Sequence, residues 1–517
     1  MNSPYKTRRI PIVFLPEKED LPSNVGQVVA AARLAQQRWA ATSLKERLLR
    51  VRELRHLLAE HARELAEASA APRGRPVSES LTAEVLPLVE ACRFGERNAK
   101  AILAPKRLGH RGRPAWLTRV DSLIYREPFG LVLVIGPGNY PLFIPGVQVL
   151  QALVAGNAVL FKPAVDGVAV AKAFRELLLR AGFAPELLGL LSPSIEAARA
   201  AIAARPDKVL FTGSSATGES ILRQLAPHLI PAALELSGCD AVLVRADADL
   251  TLTVKALTFG LCLNNGATCL SPKRVFVHRS AATELEGRLA EEFDSIRARL
   301  AQAGASSQQK LTGPGADRLR PLLENALALG AHFVSGRIHQ DGSIQTPVLL
   351  AGVRPEARLL MEDIFLPVLA LVTVADDREG ILRLNNCPFA LGASIFTRDQ
   401  RIARELAARI RAGSVSVNDL IVPTADPRLP FGGWNRSGFG VTRGAEGLLE
   451  LTRPKAVTIT RGAFRPAFDP PHPDDADLVG NYLRVAHGRG FRTRASALLS
   501  LGKNLLYRQT VKPQGEA

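Results

Sequence analysis

The chain has 517 residues, 47% of them hydrophobic and 22% charged, with a net charge of +17 at pH 7. That length is too great for one compact core and implies two or three domains, and the composition excludes a fibrous or disordered protein. No apolar run reaches the roughly 18 residues that a membrane span needs.

Residues 1–16 are basic but lack an apolar segment with a cleavage site, so no signal peptide is expected. The apolar positions Leu48, Val51, Leu54, Leu58 and Leu65 recur mainly at three- and four-residue steps. They predict two long helices over 27–71, the second opened by a capping box of Ser43 with Glu46. A Pro- and Gly-rich turn at 71–76 precedes a helix over 80–102, and 107–126 reads as polar and irregular with β-favouring ends.

Strands are then predicted at 131–135, 158–161, 188–191, 208–211 and 232–236, alternating with helices at 147–155, 167–181 and 218–225. Such alternation argues for an α/β fold with a doubly wound parallel sheet, whose ligands bind at the carboxyl ends of the strands. A second αβ series covers 241–416, with strands at 241–245, 274–278, 368–374 and 393–397 and long helices at 282–303 and 317–328. The segment 429–440, dense in Gly and aromatics, reads as an ordered loop. Pro466, Pro470, Pro471 and Pro473 mark a linker, and a basic tail follows.

The five cysteines (Cys92, Cys239, Cys262, Cys269 and Cys387) are scattered, so no disulfide framework and no metal site is expected, and a reduced cytoplasm is the expected location. Cys269 lies in Asn264-Asn265-Gly266-Ala267-Thr268-Cys269-Leu270, in a loop before a predicted strand. A loop thiol beside helix amides is a candidate nucleophile, and a small buried hydrophobe is the plainer alternative. Glu235 is a carboxylate inside an apolar strand. Burial would raise its pKa towards that of a general base, and a strand-end acid with a local partner is the alternative.

Asn139, in Gly136-Pro137-Gly138-Asn139-Tyr140-Pro141, is either a turn former or an amide donor for an oxyanion. Lys162 ends a strand, where it is either solvated or placed to meet a ribose or phosphate. Phe211-Thr212-Gly213-Ser214-Ser215-Ala216-Thr217-Gly218 joins a strand to a helix, and its glycines let backbone amides approach a phosphate.

Asn139, Lys162, Gly213 and Gly218, Glu235, Cys269, Asp363-Ile364-Phe365, Asn418 and Pro430-Phe431-Gly432-Gly433 follow the order seen in the aldehyde dehydrogenase superfamily. The chain resembles that superfamily over about residues 25–461. Residues 134–141 and 418–423 look most like its class 3 and fatty aldehyde dehydrogenase branch. The resemblance implies a Rossmann-like cofactor domain with N-terminal helices (1–107 and 125–235) and an α/β catalytic domain (236–430). It also implies small bridging or oligomerisation strands (108–124 and 441–461) and a homodimer, with a tail at 462–517.

It further implies Cys269 as nucleophile, Glu235 as the base that activates water, and the Asn139 amide as oxyanion donor. NAD or NADP would be held by Ile135, Gly136, Pro137, Lys162, Gly213, Ser214, Gly218, Asp363 and Phe365. Val165 stands where the family commonly has Glu, which leaves NAD against NADP open. Asp363 replaces a Glu, Leu366 a Gly, Gly138 a Trp, Ser237 a Gly and Ala267 a Gln. The alternatives are an enzyme that forms or reduces an acyl thioester, against which Glu235 argues, and a non-catalytic scaffold of the same fold.

From 478 to 512 the chain carries Arg484, Arg489, Arg492, Arg494, Lys503, Arg508 and Lys512 and no acid. Leu483, Val485, Phe491, Leu498, Leu499, Leu501, Leu505, Leu506 and Tyr507 are interleaved with these. Gly488, Gly490 and Gly502 are expected to interrupt any single long helix. Such a basic amphipathic tail either docks on the enzyme or lies on an anionic membrane surface, which would make the protein peripheral. No nucleic acid partner is expected, because no aromatic platform accompanies the charge. The membrane reading suggests a long-chain or isoprenoid-type aldehyde as substrate.

Overall fold

The computed structural model describes residues 24–302, 310–462, 465, 468 and 470–510. The expectations for residues 1–16, Pro466 and Lys512 fall outside these, as do those for the side chains of Leu505, Leu506, Tyr507 and Arg508. The chain forms two compact units, Met1–Arg107 with Leu123–Val457, and Leu108–Ser122 with Thr458–Ala517.

The first unit opens with three helices rather than two, Val25–Ala41, Leu44–Glu60 and Ala62–Ala70. His61, at φ −99° and ψ 19°, leaves helical geometry between the last two. The Ser43/Glu46 capping box is present, and Val51, Leu54, Leu58 and Leu65 are buried. The next predicted helix is made of Val77–Ser80, a π-helical turn Leu81–Val85, and Leu86–Leu103.

The π turn carries Glu84, which is fully buried. Glu84 pairs with the buried Arg75, and both contact the Ser69 hydroxyl. Its second oxygen accepts from the backbone N–H of Leu142 (2.7 Å) and Phe143 (3.2 Å). Helix Phe143–Ala155 is buried along its whole length and has no cap from its own flanking side chain. Glu84 therefore satisfies, from a distant helix, amides at the turn where this one starts, and its charge suits the positive end of the helix dipole.

The first sheet has the order Gly438–Phe439, Ala232–Leu236, Lys208–Gly213, Leu131–Ile135, Ala158–Lys162, Leu188–Leu190. All neighbours are parallel except Gly438–Phe439, which pairs antiparallel along Glu235 and Leu234. Leu131–Ile135 is buried throughout, as a strand covered on both faces must be. Segment 429–440 is thus not a plain loop: it contains the strands Trp434–Asn435 and Gly438–Phe439. Gly438 has φ +105°, and a Cβ there would lie 1.8 Å from the Leu234 carbonyl oxygen, so only glycine lets this edge close.

The second sheet has the order Lys310–Leu311, Ile344–Ala351, Val368–Val374, Pro272–His278, Asp240–Val244, Gly392–Phe396, Ser414–Val417, with His332–Ile338 also paired to Ile344–Ala351. Four of its strands, Lys310–Leu311, His332–Ile338, Ile344–Ala351 and Ser414–Val417, were not predicted, nor was helix Ile195–Ala203. In the C-terminal part of the proposed bridging segment the strand covers only Thr452–Thr460, because Gly444–Glu450 is a helix packed on two others. Lys106–Leu108, Val120–Pro128 and Thr452–Thr460 form a separate three-stranded sheet.

In the second unit, Asp475–His487 and Phe491–Thr510 form a helix pair. Gly488, in extended geometry, ends the first helix, whose terminal carbonyls at Val485 and Ala486 accept from the Arg494 guanidinium (2.8 and 3.2 Å). Gly502 does not interrupt the second. A lone helical glycine costs only about 1 kcal/mol, and its neighbours are strong helix formers. Among the described residues no helix is long and apolar enough to cross a membrane.

Removing one partner of a buried ion pair strands the other. Glu84→Ala is expected to destabilise the protein by about 3–5 kcal/mol, read as a fall in the urea midpoint. A shift below about 1 kcal/mol would show that Arg75 finds another partner.

Candidate active site

Sheet register brings the predicted residues of the first sheet together. Ile135 pairs with both Lys162 and Phe211, and Thr212 pairs with Glu235. Gly136, Lys162, Gly213 and Glu235 therefore share the carboxyl edge, at the point where the strand order reverses. Ser214 caps helix Ser215–Leu225, its hydroxyl accepting from the Thr217 N–H at 3.3 Å. Gly218 lies inside that helix rather than at its tip, and a Cβ there would meet Leu236 at 2.7 Å. It serves close helix–strand packing, not phosphate approach. Lys162 is half-buried, and desolvation lowers its pKa.

Cys269 sits at the end of an irregular loop. The preceding 3-10 turn Leu263–Gly266 holds Asn264 and Asn265 in left-handed geometry (φ 51° and 53°), and Gly266 packs against the backbone of Leu366 and Pro367. Two side-chain amides tie this loop to the one after strand Leu131–Ile135. Asn139 Nδ2 donates to the Ala267 carbonyl (3.1 Å), and Asn264 Nδ2 donates to the Asn139 carbonyl (3.0 Å). The Tyr140 hydroxyl and Thr268 Oγ1 are 2.6 Å apart. Asn139 is thus a neighbour of the Cys269 loop, and one of its two amide protons remains uncommitted to the loop.

The Cys269 thiol is pushed up to about 12, first by burial and then by the nearby Asp240 and Glu235 carboxylates. Arg443 and the Leu270 N–H oppose this. Glu235 is buried, with Oε1 accepting from Thr442 Oγ1 and Oε2 from Thr212 Oγ1 (3.3 Å). Burial raises its pKa, and Arg443, Thr442 and Thr212 pull it back. Two of the sequence departures act on each other: the nearby Ser237 hydroxyl lowers the pKa of the Asp363 carboxyl. Burial raises the Asp363 pKa, and its Oδ1 is buried without a partner among the described residues.

Several residues of the site were not found in the sequence. Arg75 and Glu84 fix the Asn139 loop, with Arg75 Nη1 donating to the Asn139 carbonyl at 3.3 Å. Lys273 is buried, and burial lowers its pKa to about 8. Its ammonium reaches the Leu366 (2.7 Å) and Gly266 (3.3 Å) carbonyls. Arg443 is buried beside Thr442, within electrostatic reach of both Glu235 and Cys269. The one available signal was an arginine next to a glycine, Arg75 after Gly74 and Arg443 before Gly444, which is ordinary in a loop.

Cys269 opens onto a cavity of about 1040 Å³. Its wall is mostly apolar, with Leu86, Phe143, Ile144, Phe259, Ile421, Val422 and Phe431, and it also includes Cys262, Glu79, Glu90, Arg299 and Arg443.

The aldehyde dehydrogenase family pattern matches residues 18–457. A 4,4'-diapolycopene aldehyde oxidase from a Methylomonas species is 31% identical over 84% of this chain and 81% of its own. A succinate semialdehyde dehydrogenase [NAD(P)+] from Escherichia coli is 30% identical over 81% of this chain and 89% of its own. Among solved structures, an NAD-dependent aldehyde dehydrogenase from Sinorhizobium meliloti superposes with a TM-score of 0.76. It is 26% identical, over 86% of this chain and 88% of its own. Pattern, relatives and fold agree, and the chain belongs to the aldehyde dehydrogenase family.

Proposed function

We propose that this aldehyde dehydrogenase oxidises a long, apolar aldehyde to its carboxylic acid through a thioester on Cys269, with NAD or NADP as hydride acceptor. The observation that carries the reading is the cavity of about 1040 Å³ whose largely apolar wall includes Cys269. Burying an alkyl or isoprenoid chain there gains about 0.8 kcal/mol per methylene. The aldehyde named for the Methylomonas relative points the same way.

The residues at the carboxyl edge fit a dinucleotide. Ile135, Gly136 and Pro137 end one strand, Lys162 the next, and Gly213 and Ser214 precede the free amides of an 11-residue helix. The buried, unpartnered Asp363 Oδ1 is the kind of acceptor that a ribose hydroxyl satisfies, with Phe365 next to it but one. When bound, the nicotinamide supplies the hydride acceptor that turns the Cys269 adduct into a thioester.

This chain's residues do the rest. Cys269 Sγ, as thiolate, attacks the aldehyde carbon, and the Asn139 side-chain amide and the Cys269 backbone N–H hold the resulting oxyanion. Glu235 then takes a proton from water, the hydroxide adds to the thioester carbon, and the acid leaves as Sγ regains its proton. Glu235 suits that task because its raised pKa makes it a stronger base than an exposed carboxylate.

Cys269→Ala is expected to abolish reduced-cofactor formation. Glu235→Gln should keep a single burst of it and slow steady turnover by about 10²–10⁴-fold. Because the base is active only when deprotonated and its pKa is raised, wild-type turnover should fall with decreasing pH at values above the ordinary carboxylate range. These outcomes are read by absorbance with long-chain, aromatic and short aldehydes, including succinate semialdehyde. A requirement for coenzyme A, or full turnover by Glu235→Gln, overturns the reading.

The tail belongs to the same proposal as a contact with an anionic lipid surface. Phe491 (86%), Leu498 (58%) and Leu499 (71%) are exposed on it, beside Arg484, Arg489, Arg492, Arg494 and Lys503. A homodimer joined through the mostly exposed strand Thr452–Thr460 completes it. Deleting residues 466–517 is expected to reduce sedimentation with phosphatidylserine vesicles and to raise KM more for long than for short aldehydes. No change in either measurement would remove the tail from the mechanism.

A further inference from the structure

Arg443 is an unusual residue to bury. Its guanidinium lies 4.0 Å over the Phe431 ring and 4.9 Å from the centre of the Phe143 ring, and Nη1 donates to the Thr424 carbonyl at 2.7 Å. These contacts hold the cation without neutralising it, since rings and a carbonyl carry no formal charge. Its backbone is strained, at φ 62° and ψ 171°, a region that costs a non-glycine residue about 1–3 kcal/mol. Gln151 clamps it there, accepting from the Arg443 N–H (3.2 Å) and donating to the Gly444 carbonyl (3.0 Å).

What this cation faces is acidic. Phe431, beneath it, packs in one apolar cluster with Leu270, Leu391 and Cys269. Thr442, the residue before it, hydrogen-bonds Glu235. Asp240 and Glu235 both act on the Cys269 thiol, and Arg443 is the cation that opposes them. The Tyr140 hydroxyl, bonded to Thr268 and with Glu79 and Arg75 acting on it, is also within electrostatic reach of the thiol.

We propose that Arg443 is a positioning residue for the reaction: stacked on Phe431 and clamped by Gln151, it supplies the buried positive charge that lets Cys269 ionise beside Glu235. Two anions within electrostatic reach of each other and away from bulk water disfavour one another unless a cation compensates them. The strained backbone and the double aromatic seat hold the guanidinium where a freely rotating arginine would turn to solvent. This inference deepens the assignment of Cys269 as nucleophile and rests on it.

The test reads ionisation rather than turnover, so it is independent of which aldehyde or cofactor is used. Cofactor-free enzyme is alkylated with iodoacetamide between pH 7.5 and 9.5, and the rates at individual cysteines are followed by peptide mass spectrometry. Cys262 is an internal reference: it lines the same cavity, but its charged neighbours are Arg299 and Glu292. Below the thiol pKa the rate follows the thiolate fraction, so a pKa rise of one unit lowers it about tenfold.

Arg443→Leu is expected to slow Cys269 by at least about tenfold at each pH and to leave Cys262 unchanged. Arg443→Lys, which keeps the charge and tolerates a loss of stacking, should restore most of the rate. A merely structural role predicts the opposite, because loosening the seat exposes both thiols and quickens both. Equal or faster Cys269 alkylation in Arg443→Leu, a parallel change at Cys262, or no recovery in Arg443→Lys overturns the proposal. Absence of aldehyde oxidation in the wild type, with the alkylation rates as expected, would instead count against the assigned reaction.

Discussion

The site depends on one buried carboxylate. Glu84 meets Arg75 and Ser69 on one side and the amides of Leu142 and Phe143 on the other. It thereby satisfies, at once, a buried guanidinium and the start of a helix that is buried on every face. Both would be costly alone, and each makes the other tolerable. Arg75 also holds the Asn139 carbonyl, so the loop that carries the Asn139 amide is placed by a residue 64 positions earlier. Asn139 then fixes the Cys269 loop through Ala267. The chain of support runs from a π-helical turn to the thiol without passing through solvent.

Burial raises both Glu235 and Cys269, with opposite consequences. It raises Glu235, which makes that carboxylate a better proton acceptor, and it raises Cys269, which keeps the thiol protonated. A mostly apolar wall strengthens the charges set into it. The same wall makes a thiolate expensive. The threonines at 212 and 442 and the charge of Arg443 are the counterweights built into the walls.

Strands buried on both faces were legible in the sequence. Leu131–Ile135, Ala232–Leu236 and Val368–Val374 are short apolar runs set among polar and turn residues, and their predicted and observed limits coincide. His332–Ile338 was not, because it carries polar residues and shifts register twice against its partner. The break at His61 escaped notice because apolar spacing continues across it. Cys269, Glu235 and Asn139 stood out only as an ordered set. Glu84, Lys273 and Arg443 were not legible at all: the Leu142 amide lies 58 residues from Glu84, the Leu366 carbonyl 93 from Lys273 and Gln151 292 from Arg443, pairings that a string of letters does not display. Gly218 shows the reverse error, a motif glycine whose use is packing.

Lys273 has a consequence of its own. Its ammonium bonds the Gly266 carbonyl, in the Cys269 loop, and the Leu366 carbonyl, directly after Phe365. Gly266 lies so close to Pro367 that a Cβ would stand 2.5 Å from its nitrogen. The nucleophile loop and the Asp363–Phe365 segment are therefore mechanically one piece. A ligand that shifts either end does work on the other, and such coupling free energies are reciprocal. A displacement at Phe365 and one at Cys269 become linked variables through a single buried lysine.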